Sequence, residues 1–151
     1  AARGPERKLV LQHQRTGEKL RTTYFADGAY LPQGLRDISR VLRDWRTDEV
    51  VTIDPKLLDI VYLLQRKLGL EAPLEIVCGY RSPATNAMLA RRSKRVAKNS
   101  FHLKGMAIDL RLPGRRLKDV RAAAVWLAGG GVGYYPESDF VHMDTGAVRA
   151  W

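Results

Sequence analysis

The run Val132-Gly133-Tyr134-Tyr135-Pro136-Glu137-Ser138-Asp139-Phe140-Val141-His142-Met143 decides the fold. Two short β-prone runs flank a Pro-Glu-Ser-Asp turn, which predicts a hairpin and therefore antiparallel pairing. Upstream, Gly105 to Leu112 reads as another strand, stopped by Pro113-Gly114. Between them, Leu117 to Ala128 is alanine-rich and helical, with Val120, Ala124 and Leu127 on one face and Gly129-Gly130-Gly131 after its end. That triple glycine lacks the spacing of a phosphate loop and precedes no helix, so a nucleotide site is a poor reading of it.

Further upstream, Leu74 to Tyr80 reads as a buried strand running into Arg81-Ser82-Pro83. Ser82 suits a helix N-cap and Pro83 a first helical position, so a helix from Ala84 to about Arg92 is expected. Arg81 falls at the strand-to-helix junction, where side chains often point into sites. Cys78 is a lone thiol in an apolar strand and reads as packing. Residues 33–46 form an expected helix through Leu35, Ile38, Val41, Leu42 and Trp45. Asp54-Pro55 caps a second helix that Gly69 ends. Residues 7–30 read as β, a hairpin of Lys8 to His13 with Leu20 to Phe25, and His13 reads as a surface residue. Helices lie between strand runs without a regular βαβ rhythm. The expectation is α+β: a single domain over residues 1–151, with a mainly antiparallel central sheet flanked by helices. It divides into an N-terminal hairpin region (1–30), a helical pair (31–70) and a core carrying the site (74–146).

Composition bounds the function. The 151 residues are 45% hydrophobic and 28% charged, ordinary for a globular protein. No apolar run approaches the roughly 20 residues of a membrane span. One cysteine excludes an internal disulfide. The net charge of +10 favours an anionic partner. Its one dense cluster, Arg91-Arg92-Ser93-Lys94-Arg95-Val96-Ala97-Lys98, lacks interleaved aromatics for stacking bases. It reads as a solvated basic loop, and nucleic acid is not an expected partner. The opening Ala1-Ala2-Arg3 has no methionine, as after signal-peptide cleavage or equally in a shortened chain; an exported protein whose signal peptide is absent from this chain is the expectation.

The residues that can carry chemistry are His102, Asp109 and His142. Alternation puts Ala107, Asp109 and Arg111 on one face of their strand, and Phe140, His142 and Asp144 on one face of theirs. If the two strands are neighbours, Asp109 and His142 converge, and His102 can reach them from the preceding loop. Taken singly, each histidine is an ordinary polar residue and Asp109 an ion-pair partner. Taken together they differ, because a carboxylate inside an apolar strand needs a compensating partner or metal. Two imidazoles and a carboxylate can hold a divalent metal with a position left open.

Ser100-x-His102-x-x-Gly105-x-Ala107-x-Asp109, followed by Asp139-x-x-His142, resembles the zinc signature of the M15 peptidases. That D-alanyl-D-alanine peptidase group shares its fold with the Hedgehog signalling domain. Gly79-Tyr80-Arg81-Ser82-Pro83, Gly131 to Pro136 and Phe140 to Gly146 resemble its YcbK-type murein endopeptidase branch. The resemblance implies one Zn2+ per chain on His102, Asp109 and His142. It implies Asp139 as general base, with Glu137 and Asp144 as rivals. Arg81 would steady the substrate carbonyl or oxyanion, and Ser100 would brace the site or touch substrate. The implied function is a zinc metallopeptidase acting on peptidoglycan stem peptides or cross-links, monomeric and periplasmic or in the cell envelope. The alternative is a catalytically silent zinc- or peptidoglycan-binding module of the same fold. A non-haem iron oxygenase is a third reading, since His142-x-Asp144 with His102 imitates a facial triad, though in the opposite order.

Overall fold

Side-chain direction alternates along two neighbouring, mostly buried strands of the computed structural model, and this alternation separates core from site. Ile108 and Leu110 of β5 (Ala107–Arg111) and Val141 and Met143 of β7 (Phe140–Asp144) point into the apolar core. Asp109, His142 and Asp144 occupy the other face. The structure describes residues 4–69 and 72–151; the Ala1-Ala2-Arg3 opening and position 70, the expected end of the helical pair, lie outside the described residues.

The remaining strands are β1 (Arg7–His13), β2 (Lys19–Ala26), β3 (Ala29–Tyr30), β4 (Leu74–Cys78), β6 (Gly131–Tyr135) and β8 (Arg149–Ala150). They form one sheet in the order β3-β2-β1-β4-β5-β7-β6-β8. Among the described residues β1–β4 and β6–β8 pair in parallel and the other neighbours are antiparallel, as the α+β expectation requires. The helices are α1 (Pro32–Val41), α2 (Pro55–Lys67), α3 (Pro83–Arg92) and α4 (Leu117–Leu127). α2 packs on β1 and α4, while α4 packs on β6 and β7, and α1 covers β2. Leu57, Leu58, Val61 and Leu64 of α2 are all buried against that apolar face. Each such side chain contributes about 1.5–3 kcal/mol when fully buried.

Caps read from the sequence occur where expected. The Asp54 side chain accepts from the backbone N–H of Lys56 at 2.9 Å, and Ser82 accepts from Thr85 at 3.3 Å. Two expectations change. The first helix ends at Val41, not 46, because Asp44 folds the chain back: its buried carboxylate accepts from the N–H groups of Arg46 and Ser82, each at 2.9 Å. His13 is buried, not superficial, and its Nδ1 accepts from the backbone N–H of Arg15 at 3.1 Å, closing the first hairpin. The two-residue strands β3, within the stretch read as β, and β8 form the sheet edges.

Candidate metal centre

Asp109 and His142 face each other across the β5–β7 ladder. Asp109 Oδ1 lies 3.0 Å from His142 Nδ1 and 3.1 Å from His102 Nε2. His102 reaches this point from a 3-10 turn, Phe101–Lys104, whose entry is capped by Ser100: its Oγ accepts from the N–H of His102 at 3.1 Å. Gly105 leaves that turn in the left-handed region (φ 67°), which glycine adopts without strain, and so delivers the chain into β5.

Each imidazole is oriented by a group on its far side. His102 Nδ1 lies 2.7 Å from the carbonyl oxygen of Gly79, an acceptor, so Nδ1 carries a proton and Nε2 is the nitrogen turned to Asp109. Gly79 itself must be glycine, since a Cβ there would collide with the Leu42 carbonyl. His142 Nε2 lies 2.7 Å from Asp144 Oδ2, which turns Nδ1 toward Asp109. The edge of a tetrahedral zinc shell with ligands at 2.0–2.1 Å is about 3.3 Å, close to both N···O separations at Asp109. These three residues therefore fit a divalent ion. Cys78, His102 and Asp109 also present ligand atoms within 4.8 Å of one another. The thiol, however, lies 3.7 Å from His102 Nδ1, the nitrogen that Gly79 already occupies. His142 is thus the better third ligand.

Charge is concentrated here. Burial pulls the His102 imidazole down, but the Asp109 carboxylate beside it prevails and pushes it up to about 10. Burial likewise works against the Asp109 carboxylate, yet His102 and His142 hold it well below the usual carboxylate range. Asp144 is held low in the same way by His142 and Arg149, against the cost of its burial.

The centre forms the floor of a cleft of about 340 Å³. One wall is the basic segment around Arg95, Val96 and Ala97; the other carries Tyr135, Phe140 and Trp151. Arg81 and Ser100 also line it, with Arg81 Nη2 3.4 Å from Ser100 Oγ. Arg81 Nε is buried and has no partner among the described residues. The structure does not bring Asp139 to this cleft. Asp139 takes a left-handed turn conformation (φ 58°), its side chain is 65% exposed, and its carboxylate sits by Arg111 in a separate cavity with Glu75. Glu137 is also outside, 3.7 Å from Arg95. Asp44 and Arg149, which hold Arg81's neighbour and Asp144, carried no signal in the sequence beyond their charge.

A family model described as "Peptidoglycan L,D-endopeptidase MepK" (Peptidase_M15_2) matches residues 1–151. The chain belongs to this M15 peptidase family. MepK relatives resemble it closely. It is 46% identical over 146 residues to the "Probable peptidoglycan L,D-endopeptidase MepK" of Haemophilus influenzae, covering 96% of this chain and 78% of that protein. It is 43% identical over 145 residues to the "Peptidoglycan L,D-endopeptidase MepK" of Escherichia coli K12, covering 96% of this chain and 80% of the relative. No solved structure matches it. Among the described residues no helix is long and apolar enough to cross a membrane.

Proposed function

We infer that this MepK-family chain is a peptidoglycan endopeptidase that hydrolyses amide bonds in wall cross-links, with a zinc ion held by His102, Asp109 and His142. The observation that carries this reading is the convergence of His102 Nε2 and His142 Nδ1 on one oxygen of Asp109, at the floor of an open cleft. The names of the MepK relatives support an L,D bond as the one cleaved. A zinc ion bound there supplies a polarised carbonyl and a water whose pKa falls towards about 7.

The chain's own groups do the rest. Arg81 presents donors to the cleft from a backbone fixed on both sides: its N–H bonds the His102 carbonyl at 3.1 Å, and Asp44 holds the next N–H. Its guanidinium steadies the substrate carbonyl oxygen and the oxyanion that replaces it. Ser100 braces both Arg81 and His102. A proton released from the attacking water needs an acceptor within the cleft. Both oxygens of Asp144 are committed, and Asp139 and Glu137 lie outside. Asp109 is a ligand and its carboxylate is held low, so water in the open cleft accepts this proton and the leaving nitrogen takes one up as the amide bond breaks. The +10 charge and Arg95 on the cleft wall suit the carboxylates of stem peptides. One chain supplies every group, so a monomer working outside the cytoplasm, in the periplasm or envelope, is the expected form.

Mass spectrometry of muropeptides after incubation with the purified protein, with and without chelator, tests the reading. Chelator-sensitive products in which a cross-link has gained one water are expected. Substrate bound but uncleaved under both conditions overturns it in favour of a silent binding module.

A further inference from the structure

Asp144 has a fully buried side chain that touches no solvent, yet it is not left to His142 alone. Arg149 grips it with two parallel bonds, Nη1 to Oδ1 and Nη2 to Oδ2, each 3.0 Å. The backbone N–H groups of Gly131 and Gly146 complete Oδ1 at 3.1 and 2.9 Å. Arg149 stands on β8, in register with Gly131 of β6. Its guanidinium also lies 4.8 Å from the ring centre of Trp151 and 5.6 Å from that of Phe101. The ion pair fits only because β6 opens with glycine. A Cβ on Gly131 would collide with Arg149 Nη1 and stand 2.7 Å from Asp144 Oδ2. A Cβ on Gly130 would collide with the Asp144 carbonyl. The triple glycine that makes no phosphate loop makes room for this pair instead.

We propose that Arg149 is a positioning residue of the metal centre: by its two-pronged hold on Asp144 it fixes the His142 ring with Nδ1 toward Asp109. The inference rests on the reading of His142 as a ligand. A carboxylate held from both sides cannot rotate, so the His142 Nε2–H has one place to donate and the ring one orientation. Without the guanidinium, Asp144 is restrained only at Oδ1 by two backbone donors. The imidazole is then free to flip or change tautomer.

The test compares parent, Arg149→Met, Arg149→Lys, Gly131→Ala and His142→Ala. Zinc Kd is measured by competition with a chromogenic chelator. The His142 tautomer is read in the zinc-saturated protein from long-range 1H–15N correlations. In the parent, one tautomer protonated at Nε2 is expected. In Arg149→Met, zinc Kd rises by about 10- to 100-fold and both tautomers appear. Gly131→Ala changes both readouts in the same direction, and Arg149→Lys gives a smaller loss. Should the methionine variant fail to fold, the lysine and alanine variants carry the comparison. Parent-like Kd and a single parent tautomer in the Arg149 and Gly131 variants, with zinc lost in His142→Ala, overturn the role of Arg149 alone. Parent-like Kd in His142→Ala overturns the ligand reading, and the proposal with it.

Discussion

Asp109 Oδ1 is shared between two imidazoles, 3.1 Å from His102 Nε2 and 3.0 Å from His142 Nδ1, although the three residues come from a turn and two strands. Replacing Asp109 with alanine removes the point on which both rings converge. Zinc content after dialysis, measured by plasma mass spectrometry, is expected to fall from about one per chain to background, and muropeptide cleavage to vanish. Retained zinc in Asp109→Ala contradicts the site.

Protons compete with the metal. The His102 imidazole is pushed up to about 10 beside Asp109, so a metal must displace its proton. Zinc affinity is expected to rise with pH between about 6 and 8, with proton release on binding, both measurable by calorimetry in buffers of different ionisation enthalpy. For the metal-free protein the sign follows from linkage. The raised His102 value contributes stability that is complete below its unfolded value of about 6.5 and fades as pH climbs toward 10. The lowered Asp109 value contributes stability above about 4 that is lost on further acidification. Urea midpoints across this range in the presence of chelator check both limbs.

Asp139 provides a sharp contrast with its motif position. Its carboxylate lies 3.5 Å from Arg111 and outside the cleft, so Asp139→Ala is expected to keep kcat/KM within about threefold and zinc content unchanged. An Asp139 contribution of the size usual for a general base, about 10²- to 10⁴-fold, in steady-state cleavage of a purified cross-linked dimer refutes the assignment of proton transfer to water in the cleft.

Asp44 lies at the root of Arg81. Alanine there leaves the buried N–H of Ser82, and the more open N–H of Arg46, without their acceptor. A loss of about 1–3 kcal/mol in chemical denaturation is expected. Cleavage should fall further than zinc affinity, since the backbone that aims Arg81 loosens while the ligands remain. Equal losses in both contradict the link from Asp44 to Arg81.

Much of this arrangement was legible in the residues. The Val132 to Met143 hairpin announces itself by alternation around a turn, and Asp54-Pro55 and Ser82-Pro83 announce helix starts, because caps are local chemistry. Periodicity failed at the end of α1. Leu42 and Trp45 keep the helical spacing, but the buried Asp44 carboxylate wins the backbone there, and tertiary contacts of that kind leave no periodic trace. β3 and β8 are two residues long and carry no period at all. Asp139 stands at the motif's position, but spacing does not report side-chain direction, which its left-handed turn sends toward Arg111. Burial of His13 was equally silent, since its partners are backbone N–H groups of the following turn.

The strict alternation along β5 and β7 gives these ten residues two kinds of mutational tolerance, interleaved position by position. Changes at Ile108, Leu110, Val141 or Met143 are expected to shift the melting curve foremost, while changes at Asp109 or His142 are expected to cost zinc and cleavage foremost. A one-residue insertion into β5 would exchange these two roles wholesale, turning the carboxylate into the oil and the aliphatics toward the wall polymer. Chemistry at this centre is therefore guarded less by any one ligand than by the reading frame of a five-residue strand.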